Sequence, residues 1–191
     1  MPKIIKDLKD QILASAIKIF NESDFKGVSL RKIASECNIA VGTLYNYYPG
    51  KKEIMFDVFN KLWTNTFDYL EIFIEENKHD KDLFIKYLDE LHEEMDKRKG
   101  LGRDLIALEM QENQNSKTTD LIGRSSIAPL QNKQLKKVIV YSFNVDESEI
   151  NKIKNIDILT KTTFILAMIY KDEHQDNKYF LKDLVENYIS K

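Results

Sequence analysis

Residues 29–50 read SLRKIASECNIAVGTLYNYYPG, and this stretch decides the fold that the sequence predicts. Ser29 stands at the N-cap position of a short helix, where its hydroxyl can accept a hydrogen bond from a backbone amide of the first turn. The apolar residues of that helix recur at spacings of three and four, which predicts one buried face: Leu30, Ile33, Ala34 and Cys37. Asn38 follows, and asparagine tolerates the left-handed conformation at a helix end.

A second short helix is predicted from Val41 to Tyr48, because proline disfavours a helical residue before it and Pro49 comes next. Two short helices joined by a tight turn predict a helix-turn-helix. With Leu44 facing the core, Val41 and Tyr48 fall on the same side of the helix. The opposite side carries small residues, hydroxyls and an amide, and no acid: Gly42, Thr43, Tyr45 and Asn46.

Cationic residues flank this polar face: Arg31, Lys32, Lys51 and Lys52. Hydroxyls, amides and cations are the groups that contact base edges and phosphate oxygens. The spacing therefore predicts nucleic-acid binding. It leaves open the alternative of an all-α subdomain whose polar residues are merely solvated.

The rest of the chain has a helical pattern. A first helix is predicted at 6–22, and Asp24 and Gly27 interrupt its apolar periodicity. Beyond residue 50, apolar periodicity predicts helices at 51–77, 81–97, 102–113, 121–143, 148–171 and 177–189, with a polar loop at 114–120. Pro129 predicts a break in the helix at 121–143.

Charge is divided unequally along the chain. The 191 residues sum to −2, which argues against a generally basic nucleic-acid protein, but 1–52 carry +4 and 53–191 carry −6. Such a difference indicates two parts, of which the first faces a polyanion. We therefore expect an all-α chain of about nine helices: a helix-turn-helix domain at 1–50, followed by a larger helical domain at 51–191.

The cysteine content and the hydropathy of the sequence indicate in which cellular compartment the protein is expected. The single cysteine excludes a disulfide framework and suits a reducing cytoplasm. No apolar stretch follows the charged N-terminal residues, and the longest apolar run, 164–170, is far shorter than the ~20 residues of a membrane span. We expect a cytoplasmic protein without a membrane partner. Cys37 lies on the buried stripe, which favours a small core residue over a redox switch.

The N-terminal residues resemble the DNA-binding domain of TetR-family transcriptional regulators over about residues 8–56. The resemblance is carried by Gly42-Thr43-Leu44-Tyr45, by Tyr47-Tyr48, and by Lys51 with Glu53. It implies a homodimeric regulator, most simply a repressor, that binds a palindromic operator in double-stranded DNA. It also implies an all-helical body that binds a small, largely apolar effector and releases the DNA. A small-molecule-binding or interaction protein with a non-functional helix-turn-helix is the alternative.

The resemblance implies DNA contacts by position. They are expected at Ser29, Arg31, Val41, Gly42, Thr43, Tyr45, Asn46, Tyr47 and Lys51, and of these Tyr47 and Lys51 match contacts to the phosphate backbone. Four positions depart from the family pattern, and one of them is Val41, which is apolar where polar residues are frequent. Asp24 and Asn38 replace usual glycines, but both residue types tolerate a positive φ, so we expect the turns to survive. Ala40 replaces a usual capping serine, which costs roughly 1 kcal/mol of helix stability.

In the family, the last two long helices form a four-helix bundle between subunits. The run 164–170 is apolar on every side, which predicts burial on every side. The residues expected at this interface are Phe164, Met168, Phe180, Leu181, Leu184, Val185 and Tyr188. The alternative is that both helices cover the core of their own subunit.

Bulky residues on the helices that surround the ligand in this family are candidates for an effector pocket. They are Trp63, Phe67, His92, Met95, Glu109, Met110 and Phe164. For each of them, packing in the core is the alternative, and the sequence does not identify the effector.

Enzyme motifs are incomplete in this sequence. His92-Glu-Glu-Met-Asp96 approaches the zinc motif H-E-x-x-H, but Asp96 replaces the second histidine. The sequence contains no phosphate-binding P-loop, nucleophile elbow or dinucleotide fingerprint. We therefore expect no enzymatic activity, no cofactor and no metal site.

Overall fold

The structure is a computed structural model that describes residues 7–112, 127–169 and 173–190. Its described residues form nine α-helices and one short 3-10 helix, and no strand. The α-helices are α1 (Leu8–Gly27), α2 (Leu30–Glu36), α3 (Val41–Tyr45), α4 (Lys51–Glu76), α5 (Leu83–Lys97), α6 (Leu101–Glu112), α7 (Ile127–Phe143), α8 (Ile156–Ile169) and α9 (His174–Ile189). The all-α prediction is confirmed. The predicted loop at 114–120 lies outside the described residues.

Several helices differ from their predicted limits, and α1 continues to Gly27 past a non-helical residue at Asp24. α3 ends at Tyr45 rather than Tyr48. Pro129 does not break α7, because it lies in the first turn, where the backbone amides have no intrahelical acceptor to lose. The helix predicted from residue 148 begins only at Ile156, since a 3-10 turn at Ile150–Lys152 and a positive φ of 57° at Asn155 precede it.

The chain divides into two compact units that do not follow a single cut at residue 50. One unit contains residues 7–62 and 98–112, and the other contains 63–97 and 127–190. The first unit extends beyond the helix-turn-helix because Leu62, Leu101 and Leu105 are buried in the same core. Helix α4 contributes residues to both units.

The first unit packs α1, α2, α3, the start of α4 and α6 around one apolar core. Its fully buried residues include Ile12, Phe20, Ile33, Leu44, Ile54, Val58 and Leu101. The turns that the sequence predicts are present, since Asp24 has a φ of 62° and Asn38 a φ of 52°. Asp24 also stabilises its own turn, because its Oδ1 accepts a hydrogen bond from the backbone amide of Lys26 at 2.8 Å.

The second unit is a helical bundle in which α5 packs against α7 and α9, and α8 packs against α7 and α9. Polar contacts fix the pairing of its helices. The buried ammonium of Lys178 on α9 donates to both carboxylate oxygens of Asp89 on α5, at 2.8 and 2.9 Å. Gln131 on α7 donates through Nε2 to the carbonyl oxygen of Thr160 on α8 at 3.2 Å. No helix among the described residues is long and apolar enough to cross a membrane.

Candidate nucleic-acid interface

Helix α3 presents a polar outer face because two apolar side chains hold its inner face. Leu44 is fully buried and Tyr48 is 3% exposed, as the helical periodicity predicts. Val41 is partly buried and packs against the same core. It also lies at the edge of the predicted interface. On the other side, Asn46 is exposed and Tyr45 is 52% exposed. The amide and the phenol therefore point to where a partner can reach them.

Gly42 lies on this outer face, in open space. Apart from its neighbouring residues and the backbone of its own helix, a Cβ built at this position meets no atom of the chain within 4 Å, and the backbone is not in the left-handed region. Neither the fold nor the backbone conformation therefore requires a glycine here. A partner that approaches the helix backbone closely would require one.

Helix α2 supplies the neighbouring part of the surface. The Ser29 hydroxyl accepts a hydrogen bond from the Lys32 amide at 3.3 Å, so the predicted N-cap is present. Arg31 is exposed. Ala40 leaves the start of α3 without a side-chain cap, as expected from its departure from the family pattern. Thr43 is half-buried, between the inner and outer faces of α3.

The ammonium of Lys51 is bound within the protein. It donates a hydrogen bond to the carbonyl oxygen of Phe25 at 2.7 Å and lies 4.3 Å from the centre of the Phe25 ring. Burial lowers the pKa of this ammonium, although the carboxylates of Asp104 and Asp24 act in the opposite direction. Lys51 thus ties the first residue of α4 to the end of α1. The structure gives it a structural role that the resemblance alone did not predict.

Replacing Lys51 by methionine should destabilise the fold. Methionine keeps an apolar stem over the Phe25 ring but cannot donate to the Phe25 carbonyl, and a hydrogen bond from a charged group is worth about 1.5–3 kcal/mol. We expect the free energy of unfolding in urea to fall by about 1–2 kcal/mol. Lys26→Met, at an exposed position near the end of α1, is the control and should change it little. A variant of unchanged stability but weaker, less salt-dependent DNA binding would instead make Lys51 a phosphate contact.

A cavity of about 210 Å³ opens beside the C-terminal end of the α3 segment. Its lining mixes cations, carboxylates and aromatic rings: Lys9, Tyr47, Tyr48, Pro49, Lys52, Glu53, Phe56 and Asp57. The predicted phosphate contact Tyr47 is half-buried at its edge. Sequence reasoning did not single out Lys9 and Asp57, because neither lies within the helix-turn-helix stretch.

The structure brings three of the candidate effector residues together in the second unit. The rings of Trp63 and Phe67 stack with centroids 5.6 Å apart, and Phe164 lies 6.2 and 6.5 Å from them. Trp63 and Phe67 are buried, while Phe164 is half-buried, as are His92 and Met95 on α5. The side chains of Glu109 and Met110 lie outside the described residues.

Two residues predicted at the dimer interface lie in the core of their own unit. Leu181 is 1% exposed and Val185 is fully buried, because α9 turns them toward that core. Leu184 and Tyr188 are half-buried, and the side chain of Met168 is not among those described. Large apolar side chains do point outward from α8 and α9: Ile158, Ile165, Tyr179 and Phe180.

No group of three or more histidine, cysteine, aspartate or glutamate side chains in the described part of the chain is arranged to hold a metal ion. The buried residues of both units are mostly apolar. The feature with the clearest chemical character is therefore the polar outer face of α3.

Comparison with known families identifies the N-terminal segment. Residues 12–58 match the model of the bacterial regulatory proteins of the tetR family. Two curated relatives are HTH-type transcriptional regulators. The uncharacterized regulator YuxN of Bacillus subtilis is 25% identical over 108 residues, 56% of this chain and 36% of that protein. The negative regulator IcaR of the biofilm operon icaADBC in Staphylococcus epidermidis is 34% identical over 73 residues, 38% of this chain and 37% of that protein. The chain thus spans little more than a third of each relative's length.

Solved structures match over almost the whole chain. Thermus thermophilus FadR, described as a TetR-family transcriptional repressor in complex with lauroyl-CoA, has 16% identity and a TM-score of 0.54, over 95% of this chain and 91% of that one. A TetR-family regulator of Mesorhizobium loti has 12% identity and a TM-score of 0.55, over 95% of both chains. At these identities the likeness shows the fold alone.

Proposed function

We propose that this chain is a DNA-binding transcriptional regulator of the tetR family, whose model its residues 12–58 match. The observation that carries the proposal is the outer face of α3. Tyr45 and Asn46 are exposed there beside Gly42, around which the chain leaves open space, and the exposed Arg31 flanks them on α2. This arrangement matches a recognition helix that enters a major groove.

DNA binding is tested directly by selecting ligands from a random duplex library with the purified protein. We expect an enriched, two-fold symmetric sequence, whose affinity falls steeply as the salt concentration rises because cations displace counterions from phosphates. Binding that is absent, or that selects no sequence, would contradict the proposal.

The proposal includes a homodimer. Two recognition helices must lie about 34–36 Å apart to enter successive major grooves, so a palindrome requires a two-fold symmetric protein. The outward apolar side chains of Ile158 and Ile165 are seven residues apart on α8 and so share one face, and Tyr179 and Phe180 extend the apolar surface on α9. An exposed patch of this kind is typical of a protein interface, and a second copy of the chain would cover it.

The proposal also includes control by a small effector, most simply one that releases a repressor from its operator. The aromatic cluster of Trp63, Phe67 and Phe164 offers an apolar surface for such a molecule. Three polar atoms in the same unit are buried without a hydrogen-bond partner among the described residues: Tyr87 Oη, Gln134 Oε1 and Ser142 Oγ. A largely apolar effector that carries a hydroxyl or an amide would donate a hydrogen bond to Gln134 Oε1.

Gln134 lies next to the aromatic cluster, because its Nε2 donates to the carbonyl oxygen of Phe67. The residues of the cluster on α4 belong to a helix that begins in the DNA-binding unit at Lys51. A ligand that shifts this helix would change the equilibrium between two states of the protein that differ in their fit to the operator. The size of the change is set by how much more tightly the ligand binds one state than the other.

Effector binding should change the fluorescence of Trp63, the single tryptophan of the chain. We expect a ligand that releases DNA to quench or shift its emission, and Phe164→Ala to weaken that ligand about tenfold or more through the loss of apolar contact. Titrations with a fatty acid, a phenol and an aromatic amine would measure this. Ile72→Ala, on an exposed surface of α4, is the control. A ligand that releases DNA without altering the emission would place the effector site elsewhere.

A further inference from the structure

Asp57 joins three helical segments of the DNA-binding unit through one carboxylate. It lies in the second turn of α4, and its Oδ2 accepts a hydrogen bond from the Tyr48 hydroxyl at 2.9 Å. The ammonium of Lys9, near the start of α1, lies 3.5 Å from the same oxygen. Lys9 also lies 5.4 Å from the centre of the Tyr48 ring. The contact therefore links α1, α4 and the segment that follows α3.

Helix α3 depends on such contacts for its orientation. It has only five residues, far fewer than a helix needs to be stable by itself. The burial of Leu44 holds it against the core, but apolar contact has no direction. The hydrogen bond from Tyr48 to Asp57 is directional and partly buried. Burial, and secondarily this hydrogen bond, raises the pKa of the Tyr48 phenol, so its hydroxyl remains a donor at physiological pH.

Electrostatics alone would not favour a carboxylate at this place. Asp57 lines the same cavity as Tyr47 and Lys52, next to the predicted phosphate contacts, where a negative charge repels DNA. Lys9 offsets this charge only in part, because its side chain is 60% exposed and exposed ion pairs are weak. The presence of a carboxylate at Asp57 is therefore explained by something other than its charge.

We propose that Asp57 is a positioning residue for DNA recognition, which fixes the angle at which α3 presents Thr43, Tyr45 and Asn46 by holding Tyr48. The inference rests on the proposed function. In this proposal, the angle of α3 toward the DNA is set by Asp57, which lies outside the helix-turn-helix and contacts no base itself.

The positioning role predicts opposite changes in specific and non-specific binding. Asp57→Ala removes a negative charge beside the DNA, so affinity for unrelated duplexes should stay the same or rise. Affinity for the selected sequence should fall about tenfold or more, since base contacts are misplaced. Tyr48→Phe removes the hydrogen bond without changing the charge, and it should lower specific affinity while leaving non-specific affinity unchanged. The double variant should lose little more than either single variant, because both break one contact.

The experiment measures both affinities for each variant at one salt concentration, with thermal unfolding as a check on folding. Glu22→Ala is the matched control, because it removes the same charge from an exposed position of the same unit. Folded Asp57→Ala and Tyr48→Phe proteins that keep the wild-type ratio of specific to non-specific affinity would overturn the positioning role. If Asp57→Ala does not fold, the result for Tyr48→Phe decides. A wild-type protein that selects no sequence would overturn the proposed function, and the positioning role with it.

Discussion

Replacing Gly42 by leucine should abolish sequence-specific DNA binding and leave the protein folded. The side chain would extend from the outer face of α3, where no atom beyond its neighbouring residues and its own helix backbone lies within 4 Å of the new Cβ. The leucine side chain should therefore cause no steric clash in the folded protein. In a complex, the same side chain would occupy the space between the helix backbone and the DNA.

The expected loss follows from the contacts that the leucine would prevent. A good contact to a base contributes about 1–3 kcal/mol of binding free energy. A side chain that lifts α3 out of the groove breaks more than one such contact. Two lost contacts, about 2–6 kcal/mol together, correspond to a decrease in affinity of about 30-fold to 20,000-fold, because each 1.4 kcal/mol is tenfold. Equilibrium titration against the selected duplex would measure this loss. Circular dichroism and urea unfolding would show whether the fold is retained.

Gly42→Ala is the matched control for this experiment. Alanine adds a single methyl group, and its higher helix propensity should raise the free energy of unfolding by up to about 1 kcal/mol. Its DNA affinity should fall between those of the wild-type and Gly42→Leu proteins. Wild-type DNA affinity in a folded Gly42→Leu protein would show that α3 does not enter the groove by this face.

Local sequence predicts the first unit well, because short-range rules govern most of it. The inward positions of Leu44 and Tyr48 follow from helical periodicity, and both are buried. The positive φ values at Asp24 and Asn38 follow from the residue types that tolerate them. The cap at Ser29 follows from its place before an apolar pattern.

Contacts between distant parts of the chain could not be predicted in this way. The bond from Lys51 to the Phe25 carbonyl joins residues 26 positions apart, and no periodicity connects them. The sequence predicts α6 as part of the body, but Leu101 and Leu105 complete the core of the first unit. Both features depend on how helices pack, which the amphipathic pattern of each helix leaves undetermined.

The apolar residues of α9 illustrate the same limit. The pattern shows that Phe180, Leu181, Leu184 and Val185 are apolar, but it does not show which of them face the neighbouring helices of their own unit. The structure turns Leu181 and Val185 inward and leaves Phe180 60% exposed. The predicted interface therefore moves to the outward faces of α8 and α9.

Charging this outward surface should convert the protein to a monomer. In Ile158→Asp/Phe180→Asp, both substitutions fall on side chains that are about 60% exposed in the single chain, so the core of the unit stays intact. An interface formed by these faces would bury two carboxylates per chain without partners, and such burial is strongly unfavourable. Sedimentation at micromolar concentration should give the mass of one chain for the variant and of two for the wild type.

Loss of the dimer should also weaken operator binding. A monomer contacts one half-site, and it loses the gain that comes from linking two binding events, about 100-fold or more. The matched control is Ile72→Asp on α4, which charges an isoleucine of 60% exposure in the same unit but outside the proposed interface. It should sediment as a dimer and bind the full operator normally. If Ile158→Asp/Phe180→Asp sediments as a dimer, the second copy contacts another surface. If wild type and variant are both monomeric, binding to a palindromic operator is contradicted, because one recognition helix cannot read two half-sites.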